Sequence, residues 1–384
     1  MDSDYYSYNR YVPYNLMLEN KTLEELLASL NFTSLGAFID EYDVELEPIA
    51  YDLSTKADAG LITSYTVIFL MSLVGNLLVV LAVARKRSMR TVINAFIVSL
   101  ATSDLLITLF CIPFTLVEII TVDWVLGTYM CKLLNYITMV AVVSSVLTLT
   151  TIAIERHHAI CYPLRARIIQ TPKRAAILIA GLWVFSMLLV SPLLFVLEVE
   201  LELDPFSGTT YKFCLEAWAH HDQKKTFTLL LVLFLYVIPV FTMTILYLRV
   251  VHRLWIRKAI SPVEAPGSMA TASSLRNKRR ATKMLIVVVI LFAVCWLPFH
   301  VVSIVRDFSH LLDSERNRLM LAIVQLIGFS NSFNNPIVYA FLNENFKRTF
   351  RKTLCVRPKT KPGKKKVKRS TTHLISPYAV QTTL

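Results

Sequence analysis

The segment Gly328–Tyr339 constrains this chain most, because it places three Asn, two Ser, a Pro and a Tyr inside the last long apolar run. Hydrocarbon offers amides no hydrogen-bond partner, so such side chains persist in a membrane helix only where they face protein or water. Pro336 also removes a backbone hydrogen bond and bends a helix. The segment therefore predicts a membrane helix that lines a hydrated interior and deforms, which is typical of a protein that switches between states.

Seven apolar runs are long enough to cross a hydrocarbon core of ~30 Å. We call them spans one to seven; in order they are Gly60–Ala84, Asn94–Ile120, Lys132–Ile160, Ala175–Leu197, Thr226–Val251, Met284–Val305 and Leu319–Leu342. Charged residues make up only 17% of the chain, whereas soluble proteins carry about 25%. The sequence predicts an all-α membrane protein with a seven-transmembrane helix bundle over residues 60–342.

Basic clusters follow spans one, three and seven and precede span six, so they all lie on one side of the membrane. The positive-inside rule makes that side cytoplasmic. Residues 1–59 hold 12 acidic against 3 basic residues and are predicted to be an extracellular tail, glycosylated at the sequons of Asn20 and Asn31. A net charge of +13 would also suit nucleic-acid binding, but clusters that alternate with spans favour a multi-pass plasma-membrane protein with no nucleic-acid partner.

The cytoplasmic segments are predicted from composition. Residues 343–355 form a short amphipathic eighth helix that packs on membrane lipids through its Phe and Leu side chains, and Cys355 at its end is a candidate palmitoylation site. Residues 356–384 are basic and poor in hydrophobic residues, so we expect a disordered tail. Ser261–Ser274, rich in Pro, Ala and Ser, is expected to be a flexible loop between spans five and six. The terminal Thr382-Thr383-Leu384 fits a PDZ-domain ligand.

Two cysteines lie on the predicted outer side. Cys131 begins span three and Cys214 lies in the loop before span five. An oxidising compartment favours a bridge between them. The bridge would hold the loop Glu198–Lys225 over the bundle.

Polar residues recur near the middle of four spans: Asn76, Asp104, Ser145, Asn331, Ser332 and Asn335. A carboxylate at this depth needs polar partners or a cation. Two interpretations remain open. The oxygens of Asp104, Ser145, Asn331, Ser332 and Asn335 bind a sodium-type cation with water, or the groups only hydrogen-bond and hold the helices together.

The triplet Glu155-Arg156-His157 ends span three at its cytoplasmic side. Arg156 is expected to pair with Glu155 in an inactive state and to contact a partner in an active one; a snorkelling arginine is the simpler alternative. Further residues suit the same switch: Leu164 after span three, Tyr247 late in span five, Trp296 and Pro298 in span six, and Pro336 and Tyr339 in span seven. Pro298 is expected to bend span six beside the bulky Trp296.

Together these residues resemble the rhodopsin-like (class A) family of G-protein-coupled receptors, over about Gly60–Cys355. The matching stretches are Gly75-Asn76, Leu100–Asp104, Cys131 with Cys214, Glu155–His157, Trp183, Pro239, Cys295–Pro298 and Asn335–Tyr339. The resemblance implies that an outside ligand shifts the population toward a state in which span six has moved outward and a heterotrimeric G protein binds. It also implies receptor kinases and arrestin acting on the tail, and no enzymatic activity.

Several stretches, among them Cys214–Trp218, Leu291–Val302 and Ala322–Lys347, resemble the RFamide-type neuropeptide receptors, and within them the group for pyroglutamylated RFamide (QRFP) peptides. This resemblance implies a C-terminally amidated peptide ligand and coupling through Gq and/or Gi. Orexin-, cholecystokinin- or neuropeptide FF-like ligands are the alternatives within the family. A seven-helix ion pump or channel is a distant one, since Asp104 is the one acid deep in the spans.

An Arg-Phe-amide end offers a guanidinium, a ring and a neutral amide, so its site needs a carboxylate, apolar walls and amide partners. The resemblance points to Asp307 as the residue that binds the ligand's arginine. The alternative is that the adjacent Arg306 neutralises Asp307. Glu118 or Glu216 is the second choice for the ligand's arginine. Deeper contacts are expected from Thr138, Gln325, His300 and Trp296. Many relatives have Gln where Thr138 stands.

Two substitutions exclude other ligands of the family. Amine receptors carry an Asp where this chain has Thr138, and opsins carry a retinal-binding Lys where it has Phe329. The acid in span six that pairs with the switch arginine in some relatives is also missing, because Lys278, Arg279 and Arg280 occupy that region. We therefore predict appreciable signalling without ligand.

Overall fold

The computed structural model describes residues 55–121, 123–203, 208–260, 268–309 and 317–354. The predicted glycosylation sites Asn20 and Asn31, the palmitoylation candidate Cys355 and the tail with its PDZ-ligand and kinase sites lie outside these residues. Those interpretations stay predictions.

Seven long helical segments cover the predicted spans. Span one is Thr55–Arg85, span two Val92–Phe110 with Ile112–Thr121, span three Gly127–Cys161, span four Pro172–Val190 with Leu193–Val196, span five His221–Val232, Leu233–Val237 and Ile238–Ile260, span six Ser268–Phe308, and span seven Asn317–Leu342. Spans one to six are long and apolar enough to cross a membrane. Span seven has 26 residues, which is also a spanning length, although its polar run makes it less apolar. The predicted seven-helix bundle is confirmed.

Prolines explain where the spans break. Span two is interrupted at Cys111 just before Pro113, and span four at Ser191 before Pro192. Span five widens into a π-helical turn over Leu233–Val237 just before Pro239. In each case the ring has no N–H to donate and clashes with the carbonyl of residue i−4. Pro298 and Pro336 remain inside continuous helices.

Span six is longer than predicted. Its helix begins at Ser268 rather than near Met284, so the flexible loop expected over Ser261–Ser274 is wrong for its second half. Residues 268–274 follow the last Pro of that region and include two Ala, the residue with the best helix propensity. They therefore extend the helix beyond the apolar run.

A β-hairpin precedes span five and was not expected from the sequence. Strand β1 (Leu197–Leu203) pairs antiparallel with β2 (Thr210–Glu216), with Val199 opposite Cys214. The strict alternation of apolar residues with Glu in Leu197–Leu203 was the available signal. The predicted Cys131–Cys214 disulfide is confirmed, with the two Cα atoms 5.6 Å apart. It joins β2 to span three, and the Lys212 carbonyl accepts a 2.8 Å hydrogen bond from the Trp124 amide.

The last helix, Glu344–Leu354, agrees with the predicted amphipathic eighth helix. Phe346 is fully buried and stacks on Tyr339 with ring centroids 5.6 Å apart. Thr349 donates a 3.3 Å hydrogen bond to the sulfur of Met89, which lies in the turn after span one. We call this end of the bundle the Arg156 end and the opposite one the disulfide end.

Candidate functional site

A cavity of about 540 Å³ opens at the disulfide end, between spans one to seven and beneath the hairpin. Its walls are largely apolar and aromatic, with Phe110, Phe114, Phe227, Phe299 and Leu134 among the lining side chains. Strand β2 contributes Phe213–Glu216, so the disulfide that ties β2 to span three also fixes one wall. A cavity of this size and character is typical of a small-ligand or peptide-end site.

Six of the seven predicted ligand contacts line this cavity: Glu118, Thr138, Glu216, Trp296, His300 and Gln325. They were predicted from the resemblance and from the chemistry of an Arg-Phe-amide end, and together they come from spans two, three, six and seven and the hairpin. The bundle thus brings two carboxylates, a hydroxyl and an amide around one apolar space. The Oε2 atom of Glu216 accepts a 2.8 Å hydrogen bond from Trp218 Nε1, which orients this carboxylate.

Asp307, the leading candidate for the ligand's arginine, is not among the residues that line the cavity. Its side chain is 1% exposed, and Thr228 Oγ1 donates a 2.5 Å hydrogen bond to its Oδ2. Its Oδ1 lies 3.5 Å from Arg306 Nε and 3.6 Å from Lys224 Nζ. This geometry agrees with the competing interpretation, in which Arg306 neutralises the Asp307 carboxylate. Ligand binding by Asp307 stays a prediction.

An aromatic layer forms the inner part of the cavity. The rings of Trp296 and Phe299 meet edge to face at 5.7 Å, and His300 lies 4.8 Å from Tyr236. A Cβ at Gly328 would lie 3.4 Å from the Trp296 ring, so span seven packs against this indole. Trp296 therefore contacts span seven directly, and His300 lies between it and Tyr236 of span five.

Polar side chains fill the bundle below this layer, toward the Arg156 end. Asn335 Nδ2 donates a 2.9 Å hydrogen bond to Asp104 Oδ2, and Asn76 Nδ2 donates one of 2.9 Å to the Ser332 carbonyl. Gly75 allows span one to approach closely, because a Cβ there would lie 2.8 Å from the Pro336 Cβ. Among the residues that the structure describes, the buried oxygens without a hydrogen-bond partner in this region include Asn76 Oδ1, Asp104 Oδ1, Ser145 Oγ and Asn331 Oδ1.

These unpartnered oxygens include atoms of three residues in the predicted cation site, and Ser332 also lies beside Asp104. Buried polar groups are normally satisfied, so the site needs water or an ion. One carboxylate among neutral oxygens suits a hard monovalent cation, whereas Ca²⁺ generally takes more carboxylates.

The expected pairing within the Glu155-Arg156 switch is not formed. The Glu155 carboxylate is 2% exposed and lies 3.3 Å from Arg174 at the start of span four. Gln170 Nε2 donates a 2.8 Å hydrogen bond to the Glu155 carbonyl, which ties the same turn to the short helix Pro163–Ile169. Sequence reasoning missed Arg174, whose signal was hidden in a cluster of basic residues.

Arg156 makes no ion pair among the described residues, and its buried Nε has no hydrogen-bond partner. Tyr247 of span five lies close enough to interact with its charge, and Tyr247 in turn interacts with Tyr339 of span seven. His157 packs edge to face on Tyr162 at 5.8 Å, and Leu164 is 79% exposed. Arg156, Tyr247 and Tyr339 therefore lie near one another at this end of the bundle, and Glu155 pairs with Arg174 instead of Arg156.

A seven-helix membrane protein with a ligand-sized cavity at one end and an unpaired arginine at the other has the organisation of a receptor. Residues 75–339 match the model of the seven-transmembrane receptor (rhodopsin) family, and the chain belongs to that family. It is therefore a receptor and not an enzyme.

Among curated relatives, a QRFP-like peptide receptor of Branchiostoma floridae is 43% identical over 96% of this chain and 94% of that protein. The mouse pyroglutamylated RF-amide peptide receptor is 36% identical over 91% of this chain and 83% of its own length. Mouse neuropeptide Y receptor type 2 is 36% identical over 80% of this chain and 79% of its own length.

Proposed function

We propose that this protein is a plasma-membrane receptor for a C-terminally amidated RFamide neuropeptide of the QRFP type. The observation that carries the proposal is the full-length similarity to a QRFP-like peptide receptor, combined with a cavity whose lining offers both carboxylates and aromatic walls. The disulfide end and residues 1–59 are then extracellular.

The peptide's Arg-Phe-amide end enters the cavity. Its guanidinium pairs with Glu118 or Glu216, which line the cavity, because arginine binds carboxylates through short charge-assisted hydrogen bonds. Its ring packs on the aromatic layer, and its neutral amide meets Gln325 and Thr138. The Thr138 hydroxyl already donates to the Leu134 carbonyl at 2.7 Å, so it serves the ligand as an acceptor.

Ligand contact is passed to the Arg156 end through span six. Pressure on Trp296 favours a different bend at Pro298, where the helix lacks one backbone hydrogen bond. Outward movement of span six opens a cleft beside Arg156 for a heterotrimeric G protein, of the Gq or Gi class. Receptor kinases and arrestin then act on the hydroxyl-rich tail, and residues 382–384 offer a strand to a PDZ domain.

A sodium-type cation occupies the polar interior in the inactive population, held by Asp104 with Ser145, Asn331, Ser332 and Asn335. The unpartnered oxygens at this site support it. Asp104→Asn should remove the effect of NaCl on ligand-free signalling in membranes, at constant ionic strength set with choline chloride. An unchanged sodium dependence would contradict the site.

Dose–response measurements in transfected cells test the ligand class. Peptides ending in Arg-Phe-amide should activate at least tenfold more potently than the matching free acids, about 1.4 kcal/mol. Orexin-, cholecystokinin- and neuropeptide Y-type peptides are tested in the same assay for comparison. Silence toward every Arg-Phe-amide peptide, at normal surface expression, would refute the proposal.

A further inference from the structure

The wall of the cavity formed by spans five and six carries positive charge. Lys224 and Arg306 both line the cavity, one from each span, and both lie next to the same carboxylate, that of Asp307. Two cations and one anion leave this cluster with a net charge of about +1 at neutral pH. Asp307 therefore balances only one of the two cations.

Asp307 acts in this cluster from behind the wall. Its side chain is 1% exposed, and its Oδ2 accepts a 2.5 Å hydrogen bond from Thr228. This contact holds the carboxylate between the two spans. Lys224 and Arg306 are 26% and 40% exposed, so the cations, rather than the acid, meet whatever enters the cavity.

The Asp307 carboxylate does not use the hydrogen-bond donors of Lys224 and Arg306. Asp307 Oδ1 lies within ion-pair distance of both but accepts a hydrogen bond from neither. A second acceptor can therefore bind Lys224 and Arg306 without breaking a hydrogen bond to Asp307 Oδ1. Charge-assisted hydrogen bonds to a carboxylate are about twice as strong as neutral ones. Because Lys224 and Arg306 are partly exposed, solvent screens part of this gain.

The acids of the cavity come from other elements. Glu118 belongs to span two and Glu216 to strand β2, whereas the cations belong to spans five and six. The site thus offers negative charge and positive charge from different walls. A ligand with one cationic group alone would leave the Lys224–Arg306 wall without a counter-charge.

We propose that Lys224 and Arg306 form an anion-binding subsite for a side-chain carboxylate of the peptide, on the N-terminal side of its Arg-Phe-amide end. The subsite rests on the proposed function and specifies which amidated peptides the receptor prefers. Asp307 is a positioning residue of this subsite, because it holds the two cations together across spans five and six.

Synthetic peptides test this subsite. A series ending in Arg-Phe-amide carries a single Glu at each successive position before the Arg, and each member is paired with its Gln counterpart. One position, or two adjacent ones, should favour Glu over Gln by about tenfold in potency, the effect of a single charge-assisted contact. The other positions should give equal potencies.

Receptor variants then assign the preference. Lys224→Met and Arg306→Gln should each reduce the Glu-to-Gln potency ratio toward one. Lys225→Met is the matched control, because Lys225 lies 5.7 Å over the Phe308 ring and does not line the cavity; its ratio should stay at about tenfold. Lys224→Glu should prefer Lys to Glu at the same peptide position, a gain that a misfolded receptor cannot show.

The outcomes separate this subsite from the proposed function. Activation by Arg-Phe-amide peptides with no Glu preference at any position would overturn the subsite alone, as would a preference that survives both Lys224→Met and Arg306→Gln. Silence toward the whole series would overturn the proposed function and the subsite with it. Surface labelling of each variant confirms that the receptor is present.

Discussion

Two helices of this receptor each carry an acid next to an arginine, at opposite ends of the bundle. The two pairs differ in whether the acid forms an ion pair with its neighbouring arginine. At the disulfide end, Arg306 and Asp307 are ion-paired, with Nε and Oδ1 3.5 Å apart. At the Arg156 end, the Glu155 carboxylate instead lies 3.3 Å from Arg174, and Arg156 forms no ion pair within the described ranges.

Adjacent residues of an α-helix point about 100° apart, so neighbours in sequence do not pair by default. Groups on other helices decide whether an acid and the arginine beside it form an ion pair. Thr228 and Lys224 of span five hold Asp307 where Arg306 can reach it, whereas Arg174 of span four draws Glu155 away from Arg156. The result is an ion-paired arginine at the ligand end and an arginine without an ion pair, within the described ranges, at the end where we expect the G protein.

Removing the acid at the disulfide end should have the largest effect. Asp307→Asn keeps an acceptor for Thr228 but leaves Lys224 and Arg306 close together without the intervening negative charge. We expect a loss of about 2 kcal/mol in stability, below the value for a fully buried pair because both cations are partly exposed. The melting temperature of purified, ligand-free receptor measures it.

Asp222→Asn is the control for this substitution, since Asp222 lies in the first turn of span five, the helix that carries Lys224 and Thr228, but is exposed. Its melting temperature should stay within about 1 °C of the unmodified receptor, as for most surface changes. Equal shifts for the two variants would mean that the Asp307 cluster does not hold spans five and six together.

Removing the distant partner at the Arg156 end should have an intermediate effect. Arg174→Gln leaves the buried Glu155 carboxylate without its ion pair, and Arg156 becomes the nearest available cation on its own helix. Arg156 is then held by Glu155, so ligand-free signalling should fall by about three- to tenfold, corresponding to roughly 1 kcal/mol between the two states. G-protein activation in membranes without peptide measures the change.

Lys173→Gln provides the matched control, because Lys173 is adjacent, exposed and equally charged. Its baseline should equal that of the unmodified receptor. A fall of the same size in both variants would assign the effect to the loss of surface charge. A baseline in the unmodified receptor no higher than that of empty-vector membranes would contradict the prediction of ligand-free signalling itself.

The sequence predicted the helices well because hydropathy and proline act locally. The seven spans and the amphipathic last helix follow from residues a few positions apart. The breaks near Pro113 and Pro239 were not predicted, although a proline is itself a local signal. The hairpin was missed because a membrane-span search passes over the alternation in Leu197–Leu203. Span six was predicted too short because a helix outside the hydrocarbon needs no apolar residues.

The site was predicted in part for a related reason. Residues such as Glu118, Gln325 and Trp296 could be predicted because a resemblance indicates which helix face they occupy. They line the cavity as expected. The ion-pair partners of Asp307 and Glu155 were not predictable in the same way. Thr228 is 79 positions from Asp307, and no local pattern indicates that spans five and six meet there.

Removing the acid at the Arg156 end should have the smallest effect, which distinguishes this receptor from one in which the acid restrains the arginine. Glu155 is occupied by Arg174 and does not hold Arg156. Glu155→Gln should therefore raise ligand-free signalling by less than about twofold, less than 0.5 kcal/mol. A rise of tenfold or more would show that Glu155 and Arg156 do pair in the inactive population. The two acid–arginine neighbours would then behave alike, and Arg174 would hold Glu155 only in the active state.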